Sequence, residues 1–378
     1  MLQEQIMVGQ AHLTVINEQT LPPEVQRRFQ ELRATGRKAP NPAEVRSILV
    51  RAPNWVGDAV MSLPALGGVR QVFPQAAITV LAVPRVAPLF SEHPEVAEVI
   101  LYPPGPEKWR RLWALRGRFD LALALPNSLE SALGLWLAGA PARVGYNTDA
   151  RRPFLTTAVG GRKGLKGLHQ VFYYLGLLTA LGPVASYTPP TLFLTPEEIA
   201  AAAKLLDHGN VAASGPWVGL SPGAAYGPAK RWPAERFAAL AQELQKEFRA
   251  NIVLLGGPDD QEAGEQVKAL MPQPPVDLVG RTSLRQALGV LANLQLLITN
   301  DSGLMHAAAA LRTPLVAIFG STDPVATGPF TSQAAVIHHP RDCAPCLERT
   351  CPIDYPCLTD ITVTEVLAAG RAWLMEVA

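Results

Sequence analysis

The sequence lacks the signals that direct a chain into or across a membrane. No apolar run reaches the length of a membrane-spanning helix, and the N-terminus, MLQEQIMVGQAHLTV, has neither the basic start nor the apolar core of a signal peptide. Charged residues are few, at 17% against 48% hydrophobic residues, which is typical of a soluble globular chain. We therefore expect a cytoplasmic protein, and 378 residues suffice for two ordinary domains.

Two further absences narrow the class of protein. No GxGxxG turn opens either half of the chain, which disfavours a dinucleotide-dependent dehydrogenase. Cysteine is confined to a cluster with the spacing C-x2-C-x4-C-x5-C, namely Cys343, Cys346, Cys351 and Cys357. Such a cluster could hold zinc or an iron–sulfur centre, pair as disulfides, or remain as free thiols in a compact loop. We expect no metal and no cofactor, and keep these four as the candidate ligands should a metal bind.

The two halves of the sequence differ in charge, although the net charge is only +1. Residues 1–190 hold 20 Lys and Arg against 13 Asp and Glu, a net +7, whereas residues 191–378 hold 13 against 19, a net −6. The excess of cations predicts that the first half meets an anionic partner. A solvated basic surface without a partner is the plain alternative.

Apolar runs alternate with amphipathic stretches along most of the chain. Continuous apolar strands separated by helices are typical of a parallel sheet that is covered on both faces. In the first half we predict a strand that begins at Ser47 and further strands at 77–83, 98–102 and 119–125. In the second half we predict strands at 217–223, 251–257, 277–280, 296–300 and 314–320. A terminal helix, TVTEVLAAGRAWLMEV, completes the pattern.

The repetition of this pattern predicts an α/β fold with two Rossmann-like, doubly wound domains. The expected divisions are an N-terminal extension at 1–46 with a short helix near 24–34, a first domain at 47–185, a linker at 186–195 and a second domain at 196–378. Ligands of such sheets bind beyond the carboxyl ends of the strands, so we expect an active site in a central cleft that both domains face.

One strand-to-helix junction, TNDSGLMHAAAA, has the composition of an anion site. An apolar strand ends at Asn300, and either Asp301 or Ser302 can cap the helix that follows. Gly303 would let an anion approach the unpaired N–H groups of the first turn, and His306 lies one turn further on. A capped helix without a ligand is the alternative.

Two other junctions carry residues suited to chemistry. WVGLSPGAAYGPAKRWP ends a strand at Ser221-Pro222-Gly223 and leads through small residues to Lys230, a pattern that suits a diphosphate. A surface lysine ahead of a helix would look the same. In the first half, APNWVGDAVMSLPAL places Asp58 in the first turn of a helix, either as a helix cap or as a general base.

These three junctions together resemble the ADP-heptose:lipopolysaccharide heptosyltransferases, with a closer likeness to the heptosyltransferase II branch. The likeness covers residues 47 to about 368 and is supported by GRTSLRQALGVLANLQLLITNDSG and by the cysteine-rich tail. It implies a GT-B glycosyltransferase whose C-terminal domain binds the nucleotide sugar and whose N-terminal domain binds the acceptor. It also implies inverting transfer without a metal ion, and the sequence indeed contains no Asp-x-Asp pair.

The resemblance implies a role for each candidate residue. Asp58 matches the proposed catalytic base, and Lys230 matches the lysine that contacts the diphosphate. The donor-binding set would further contain Ser221, Gly223, Thr282, Asp301, Ser302, Gly303 and His306. The acidic residue near the ribose would be Asp259, Asp260 or Glu262.

The implied partners are ADP-heptose as donor and the lipopolysaccharide inner core as acceptor, with no nucleic acid. The basic stretch 108–118, KWRRLWALRGR, predicts either a helix resting on a membrane surface or an amphipathic core helix with a solvated face. The stretch 151–167, RRPFLTTAVGGRKGLKG, predicts an irregular loop that could close over acidic sugars.

Three other interpretations stay open from the sequence. The chain could be a heptosyltransferase I acting on Kdo, or another GT-B enzyme that uses a different nucleotide sugar. It could also be a partner protein without catalytic activity, built around a metal held by the cysteines.

Overall fold

The computed structural model of the chain describes residues 7–8, 11–12, 21–37, 40–184, 186–207 and 215–375. These residues form two compact units, one from 21 to 193 and one from 194 to 375. The second unit also includes the short antiparallel strands β1 (Met7–Val8) and β2 (Ala11–His12). The chain passes between the units at Phe193–Leu194, inside the segment predicted as the linker.

The first unit contains a seven-stranded sheet in the order β3-β9-β8-β7-β4-β5-β6. Its strands are β3 (Arg33–Gly36), β4 (Ser47–Arg51), β5 (Ala77–Ala82), β6 (Glu98–Leu101), β7 (Leu121–Ala124), β8 (Ala142–Tyr146) and β9 (Thr157–Gly160). Its helices are α1 (Pro23–Glu31), α2 (Val56–Met61), α3 (Leu63–Val72), α4 (Glu107–Ala114), α5 (Leu129–Leu137) and α6 (Gln170–Leu177). All neighbouring strands run parallel except β3 and β9.

The second unit contains a six-stranded parallel sheet in the order β12-β11-β10-β13-β14-β15. Its strands are β10 (Trp217–Ser221), β11 (Asn251–Leu254), β12 (Val276–Asp277), β13 (Leu296–Asn300), β14 (Leu315–Phe319) and β15 (Ala334–His338). Its helices are α7 (Pro196–Leu206), α8 (Ala234–Phe248), α9 (Gln261–Ala269), α10 (Leu284–Ala292), α11 (Gly303–Leu311), α12 (Pro324–Thr327), α13 (Pro356–Thr359) and α14 (Val363–Met375).

Both sheets have one topology when their parallel strands are numbered in chain order within each unit. The order is third, second, first, fourth, fifth, sixth, with β4 first in one unit and β10 first in the other. This is the order of a doubly wound Rossmann-like sheet. The predicted α/β fold with two such domains is therefore confirmed.

The central strands are buried on both faces, as their continuous apolar sequences predict. In the second unit Val218, Ile298 and Val316, from three neighbouring strands, are fully buried in one cluster with Phe237 of α8 and Val366 of α14. Burial of such side chains stabilises a domain by roughly 1.5–3 kcal/mol each. The helices are thereby fixed against the sheet, and the loops at its carboxyl edge start from fixed positions.

The first unit begins earlier in the chain than the predicted boundary at Ser47. Strand β3 pairs with β9, and helix α1 buries Val25 and Phe29, so the described part of the predicted extension from residue 21 belongs to this unit. An amphipathic helix with two apolar residues one turn apart buries its apolar stripe against a domain. The remainder of that prediction, apart from β1 and β2, lies outside the described residues.

Candidate active site

The carboxyl ends of β10 and β13 lie side by side in the second unit, since Ser221 pairs with Thr299 in parallel register. From these two strands the sheet continues in opposite directions, with β11 beside β10 and β14 beside β13. Doubly wound sheets bind ligands in the crevice that this reversal creates. The two junctions that the sequence predicts in this half therefore meet at one place.

A buried asparagine at the end of β13 holds the two junctions together. Asn300 is fully buried, and its side-chain amide donates to the carbonyl of Pro222 at 2.8 Å. Its side-chain oxygen accepts from the backbone N–H of Trp232 at 3.0 Å. The sequence analysis did not assign Asn300, although a polar residue that ends an otherwise apolar strand was a usable signal. Through these two hydrogen bonds, Asn300 joins the loop after β10 to the end of β13, which α11 follows.

The loop after β10 needs glycine at position 223 because Asp260 lies against it. A Cβ atom on Gly223 would come within 2.1 Å of the Asp260 carboxyl group. Asp260 Oδ2 accepts from the Gly257 N–H at 2.9 Å, whereas its buried Oδ1 has no hydrogen-bond partner among the described residues. Burial raises the pKa of Asp260. Of the three acidic candidates for ribose binding, the structure thus places Asp260 beside the predicted phosphate loop.

The helix α11 begins with the cap that its sequence predicts. Ser302 is the N-cap, and its hydroxyl accepts from the Met305 N–H at 3.4 Å and lies 3.2 Å from the Thr299 hydroxyl. Between the two predicted alternatives, the cap is therefore Ser302 and not Asp301. Gly303 is the first residue of the helix, where the unpaired N–H groups carry partial positive charge. This end of α11 favours an anionic ligand.

Asp301 instead pairs with Lys230. The Lys230 Nζ lies 2.5 Å from Asp301 Oδ2, and Thr322 donates its hydroxyl to the same oxygen at 2.6 Å. The side chains of Lys230 and Asp301 are only 14% and 4% exposed, so water screens this pair weakly. The pair fixes the Lys230 ammonium group at the start of α11, and the net charge of the pair is zero.

His306 completes this group from within α11. It is 5% exposed, and burial lowers its pKa to about 4, with Asp301 opposing the shift and Lys230 adding to it. The imidazole is therefore neutral near pH 7, when it can donate one hydrogen bond and accept another.

Thr282 lies at the same edge of the sheet but apart from the residues above. It is half-buried and immediately precedes Ser283, which forms a capping box with Gln286 at the start of α10. Within the described chain, no hydrogen bond joins the Thr282 side chain to the Lys230–Asp301 group. Thr282 follows β12, which is two strands away from β10.

In the first unit, Asp58 lies in the first turn of α2 but does not cap it. The N-cap residue is Trp55, with no side-chain hydrogen bond to the helix. The half-buried Asp58 instead accepts a hydrogen bond from the Tyr174 hydroxyl at 3.2 Å. Burial, together with the charge of Asp58, raises the pKa of Tyr174 well above its ordinary value, so the phenol remains a donor. The capping alternative is thus excluded, and the contact between Asp58 and Tyr174 is one that the sequence did not reveal.

Comparison with known proteins gives the family. The model for glycosyltransferase family 9 (heptosyltransferase) matches residues 109–355. The chain belongs to glycosyltransferase family 9.

Similar proteins that carry more specific names support the same family. Lipopolysaccharide heptosyltransferase 2 of Salmonella typhimurium is 38% identical over 77% of this chain and 87% of that protein. Lipooligosaccharide heptosyltransferase 2 of Haemophilus influenzae is 33% identical over 77% and 88%. The solved structure of E. coli ADP-heptose lps heptosyltransferase II matches with a TM-score of 0.75 and 34% identity, covering 87% of this chain and 99% of that one. The predicted GT-B class is confirmed by this match.

The first unit of this family 9 glycosyltransferase contains a second buried polar residue that holds a loop. Arg151 is fully buried and donates to the carbonyls of Tyr146, at 2.7 Å, and Pro126. It also contacts the side chains of Ser131 and Asn127, at 3.1 and 3.4 Å. These contacts hold the loop that follows β7, which neighbours β4 at the reversal point of the first sheet.

The basic stretch from 151 to 167 is therefore not an irregular loop over sugars, as its sequence predicted. It contains β9, an inner strand of the sheet between β8 and β3, and it starts with a buried arginine. The prediction took the glycines as signs of a loop. In the structure Gly160 ends strand β9, and Gly161 follows it with a φ of 86°, which favours glycine.

The other basic stretch forms helix α4, with Leu112 buried and Trp113 57% exposed. Two of its cations have carboxylate partners, in the first turn of the same helix and in the next helix, since Arg111 lies 3.1 Å from Glu107 and Lys108 lies 2.8 Å from Glu130. Among the described residues, no helix combines the length and the apolarity needed to cross a bilayer.

The four cysteines of the enzyme are free thiols in the structure. Cys343 and Cys346 are exposed, whereas Cys357 is buried, and burial raises the pKa of the Cys357 thiol. In the described part of the chain, no group of three or more His, Cys, Asp or Glu side chains is placed to hold a metal ion. The structure thus does not arrange the cysteine candidates as a ligand set.

Proposed function

We propose that this enzyme transfers heptose from ADP-L-glycero-D-manno-heptose to the heptose of the lipopolysaccharide inner core, with inversion and without a metal ion. The observation that supports the proposal is the junction of β10 and β13, where the Lys230–Asp301 pair lies at the start of α11 in a family 9 chain. The names of the similar proteins supply the sugar and the acceptor.

The donor would bind along the carboxyl edge of the second sheet. The diphosphate would contact Lys230 and the N–H groups at Ser302 and Gly303, with the loop from Ser221 to Gly223 opposite. The free Oδ1 of Asp260 is available to accept from a ribose hydroxyl, which would satisfy a buried polar atom that otherwise lacks a partner. Thr282 would line the adenosine end.

Departure of ADP is the step in which negative charge grows on the donor. The Lys230 ammonium group and the amides of α11 are held by Asp301, Thr322 and the Ser302 cap before any ligand arrives. Fixed donors of this kind act on a developing charge without reorganisation, and one can contribute roughly 3–4 kcal/mol. His306, neutral near pH 7, would donate or accept a hydrogen bond without adding charge.

Asp58 would take the proton from the acceptor hydroxyl as its oxygen attacks the anomeric carbon. The Tyr174 hydroxyl orients the carboxylate. A carboxylate is a weak base near pH 7, which suffices because the proton leaves late, after attack on an oxocarbenium-like centre has begun. A positioned base typically contributes ~10²–10⁴-fold.

The acceptor is an anionic lipid, and the basic first half of the chain suits it. We propose that helix α4 contributes peripheral contact with the inner face of the membrane through Arg110 and Trp113, both exposed. Basic residues and exposed tryptophan favour the interface of an anionic bilayer.

The test is incubation of the protein with ADP-heptose and two defined core acceptors, one ending in Kdo and one already carrying the first heptose. We expect product only with the heptose-bearing core, and stereochemical inversion at the transferred carbon. Transfer to the Kdo core alone would identify a heptosyltransferase I. Thermal-shift measurements with ADP and UDP test the nucleotide, and stabilisation by UDP alone would contradict the donor assignment.

A further inference from the structure

The lysine of the anion site described above already has a carboxylate partner. Lys230 is matched by Asp301 at 2.5 Å, and the charge of Arg231 acts on Asp260, the neighbouring carboxylate. His306 is neutral near pH 7. A diphosphate ester carries negative charge on each phosphorus and gains more when its bond to the sugar breaks. The Lys230–Asp301 pair itself carries no net charge that would offset this gain.

The segment that contains the cysteines packs directly on the loop that leads to Lys230. The backbone N–H of Ala229 donates to the Arg349 carbonyl at 3.1 Å, and the Leu347 N–H donates to Ser321 at 2.9 Å. The Tyr226 hydroxyl donates to the Leu347 carbonyl. Gly227 adopts a φ of 148°, and a Cβ there would lie 2.7 Å from the Arg349 carbonyl oxygen. This close approach places the Arg349 backbone beside the loop that leads to Lys230.

One aromatic ring, that of Tyr226, contacts two cations. The Lys230 ammonium nitrogen lies 5.0 Å from the centre of the Tyr226 ring, and the Arg349 guanidinium carbon lies 5.3 Å from the same centre. Each is within the range of cation–π attraction. In the part of the chain that the structure describes, no carboxylate lies within ion-pair distance of Arg349, whose side chain is exposed. Among the described residues, Arg349 is therefore a cation without a carboxylate partner that contacts the same ring as Lys230.

We propose that Arg349 is a second phosphate-binding residue for the nucleotide donor, placed by Tyr226 and acting on the diphosphate together with Lys230. A guanidinium group can donate two parallel hydrogen bonds to phosphate oxygens, which a lysine cannot do. The inference rests on the proposed function because it names a further contact of the same donor. It also gives the cysteine-rich segment a role that needs no metal, namely to carry Arg349 to the site.

The experiment is calorimetric titration of the full-length protein and its Arg349→Gln variant with ADP, AMP and adenosine. We expect ADP affinity to fall about 10- to 100-fold, as loss of hydrogen bonds to a charged group predicts. Adenosine affinity and the thermal midpoint should not change, and Arg349→Lys should restore part of the ADP affinity. Arg341→Gln is the matched control, because it removes an equal charge from the same segment at a residue paired with Asp360.

The outcomes separate the inference from the function on which it rests. ADP affinity within about twofold of wild type in Arg349→Gln, with Lys230→Ala weakened, would overturn only the role of Arg349. An equal loss of ADP and adenosine affinity would make Arg349 merely structural and would overturn the inference too. Failure of the wild-type protein to bind ADP would overturn the proposed function and the inference together.

Discussion

The two domains have the same strand order but place different chemistry at the reversal of their sheets. In the second domain, the residues at this point bond to one another: Lys230 to Asp301, and Asn300 to the loop after β10. In the first domain, Asp58 lies after β4 on a short helix and takes its bond from Tyr174, on α6. The second domain thus has a network whose Lys–Asp pair carries no net charge, whereas in the first domain a carboxylate accepts from a phenol.

This difference fits the demands of a transfer reaction. A donor diphosphate would need fixed hydrogen-bond donors that do not move as charge develops, and we propose that Lys230 and the start of α11 supply them. An acceptor hydroxyl needs one oriented base. A common topology therefore fixes where a ligand binds, whereas the residues at the strand ends decide what it is.

Replacement of the Asp58 carboxylate should have the largest effect on turnover, and it should affect the first domain and not the second. We expect Asp58→Asn to lower turnover by ~10²–10⁴-fold while ADP affinity stays unchanged, because Asp58 belongs to the first domain. Steady-state kinetics and calorimetric titration with ADP measure the two quantities. A variant that keeps most of its turnover would show that Asp58 is not the base.

Removal of the Lys230 side chain should lower both the turnover and the affinity for ADP. We expect Lys230→Ala to lower turnover by roughly 10²–10³-fold and to weaken ADP binding, because it removes the ammonium group and leaves the buried Asp301 charge unmatched. The same two measurements apply. Unchanged ADP affinity would place the diphosphate elsewhere.

The buried arginine of the first domain tests whether each network supports its own domain. We expect Arg151→Met to destabilise the first domain by about 3 kcal/mol, because the Pro126 and Tyr146 carbonyls lose a buried donor. Thermal unfolding followed by calorimetry should show a lower midpoint, with ADP affinity retained. Arg152→Met, at a partly buried neighbouring arginine, is the control. Equal midpoints for the two variants would contradict this role of Arg151.

The histidine of the second domain predicts a pH dependence of stability. Burial depresses the pKa of His306 from 6.5 to about 4, so the unfolded chain binds a proton that the folded chain does not. The resulting stability is fully present above pH 6.5 and is lost as the pH falls toward 4. Between pH 7.5 and pH 5 the loss should be on the order of 2 kcal/mol.

The control for this prediction is His306→Gln, which should reduce the dependence of stability on pH between pH 7.5 and pH 5. Burial also lowers the pKa of His93 and His338, so part of the slope should remain in the variant. Denaturant unfolding at the two pH values gives the comparison. An identical slope in wild type and variant would show that His306 titrates normally.

Tyr174 should have the smallest effect. We expect Tyr174→Phe to lower turnover by less than ~10-fold, in line with the loss of one hydrogen bond worth about 1 kcal/mol, with no change in ADP affinity. Kinetics with saturating donor measure it. A loss as large as that of Asp58→Asn would mean that the phenol itself takes part in proton transfer.

Much of the fold follows from local patterns in the sequence. The predicted strands at 77–83, 98–102, 119–125 and 296–300 and the terminal helix are present, since apolar periodicity and helix caps act between residues a few positions apart. The strands β3, β8, β9 and β15 were missed. β9 lies in a basic, glycine-containing stretch, and only its neighbours β8 and β3 make it part of a sheet.

The candidate site divides in the same way. Asp58, Lys230, Ser302 and Gly303 stand at strand ends that the pattern itself marks, so the sequence alone determined which junctions of this chain could bind an anion or hold a base. Only the tertiary structure decided that Asp301 pairs with Lys230, that Asp260 lies against Gly223 and that Tyr174 holds Asp58. These partners lie 37 to 116 residues apart along the chain, and they meet because strand order brings them together. Strand order depends on which sheet edges and helix faces bury each other, and no window of neighbouring residues contains that information.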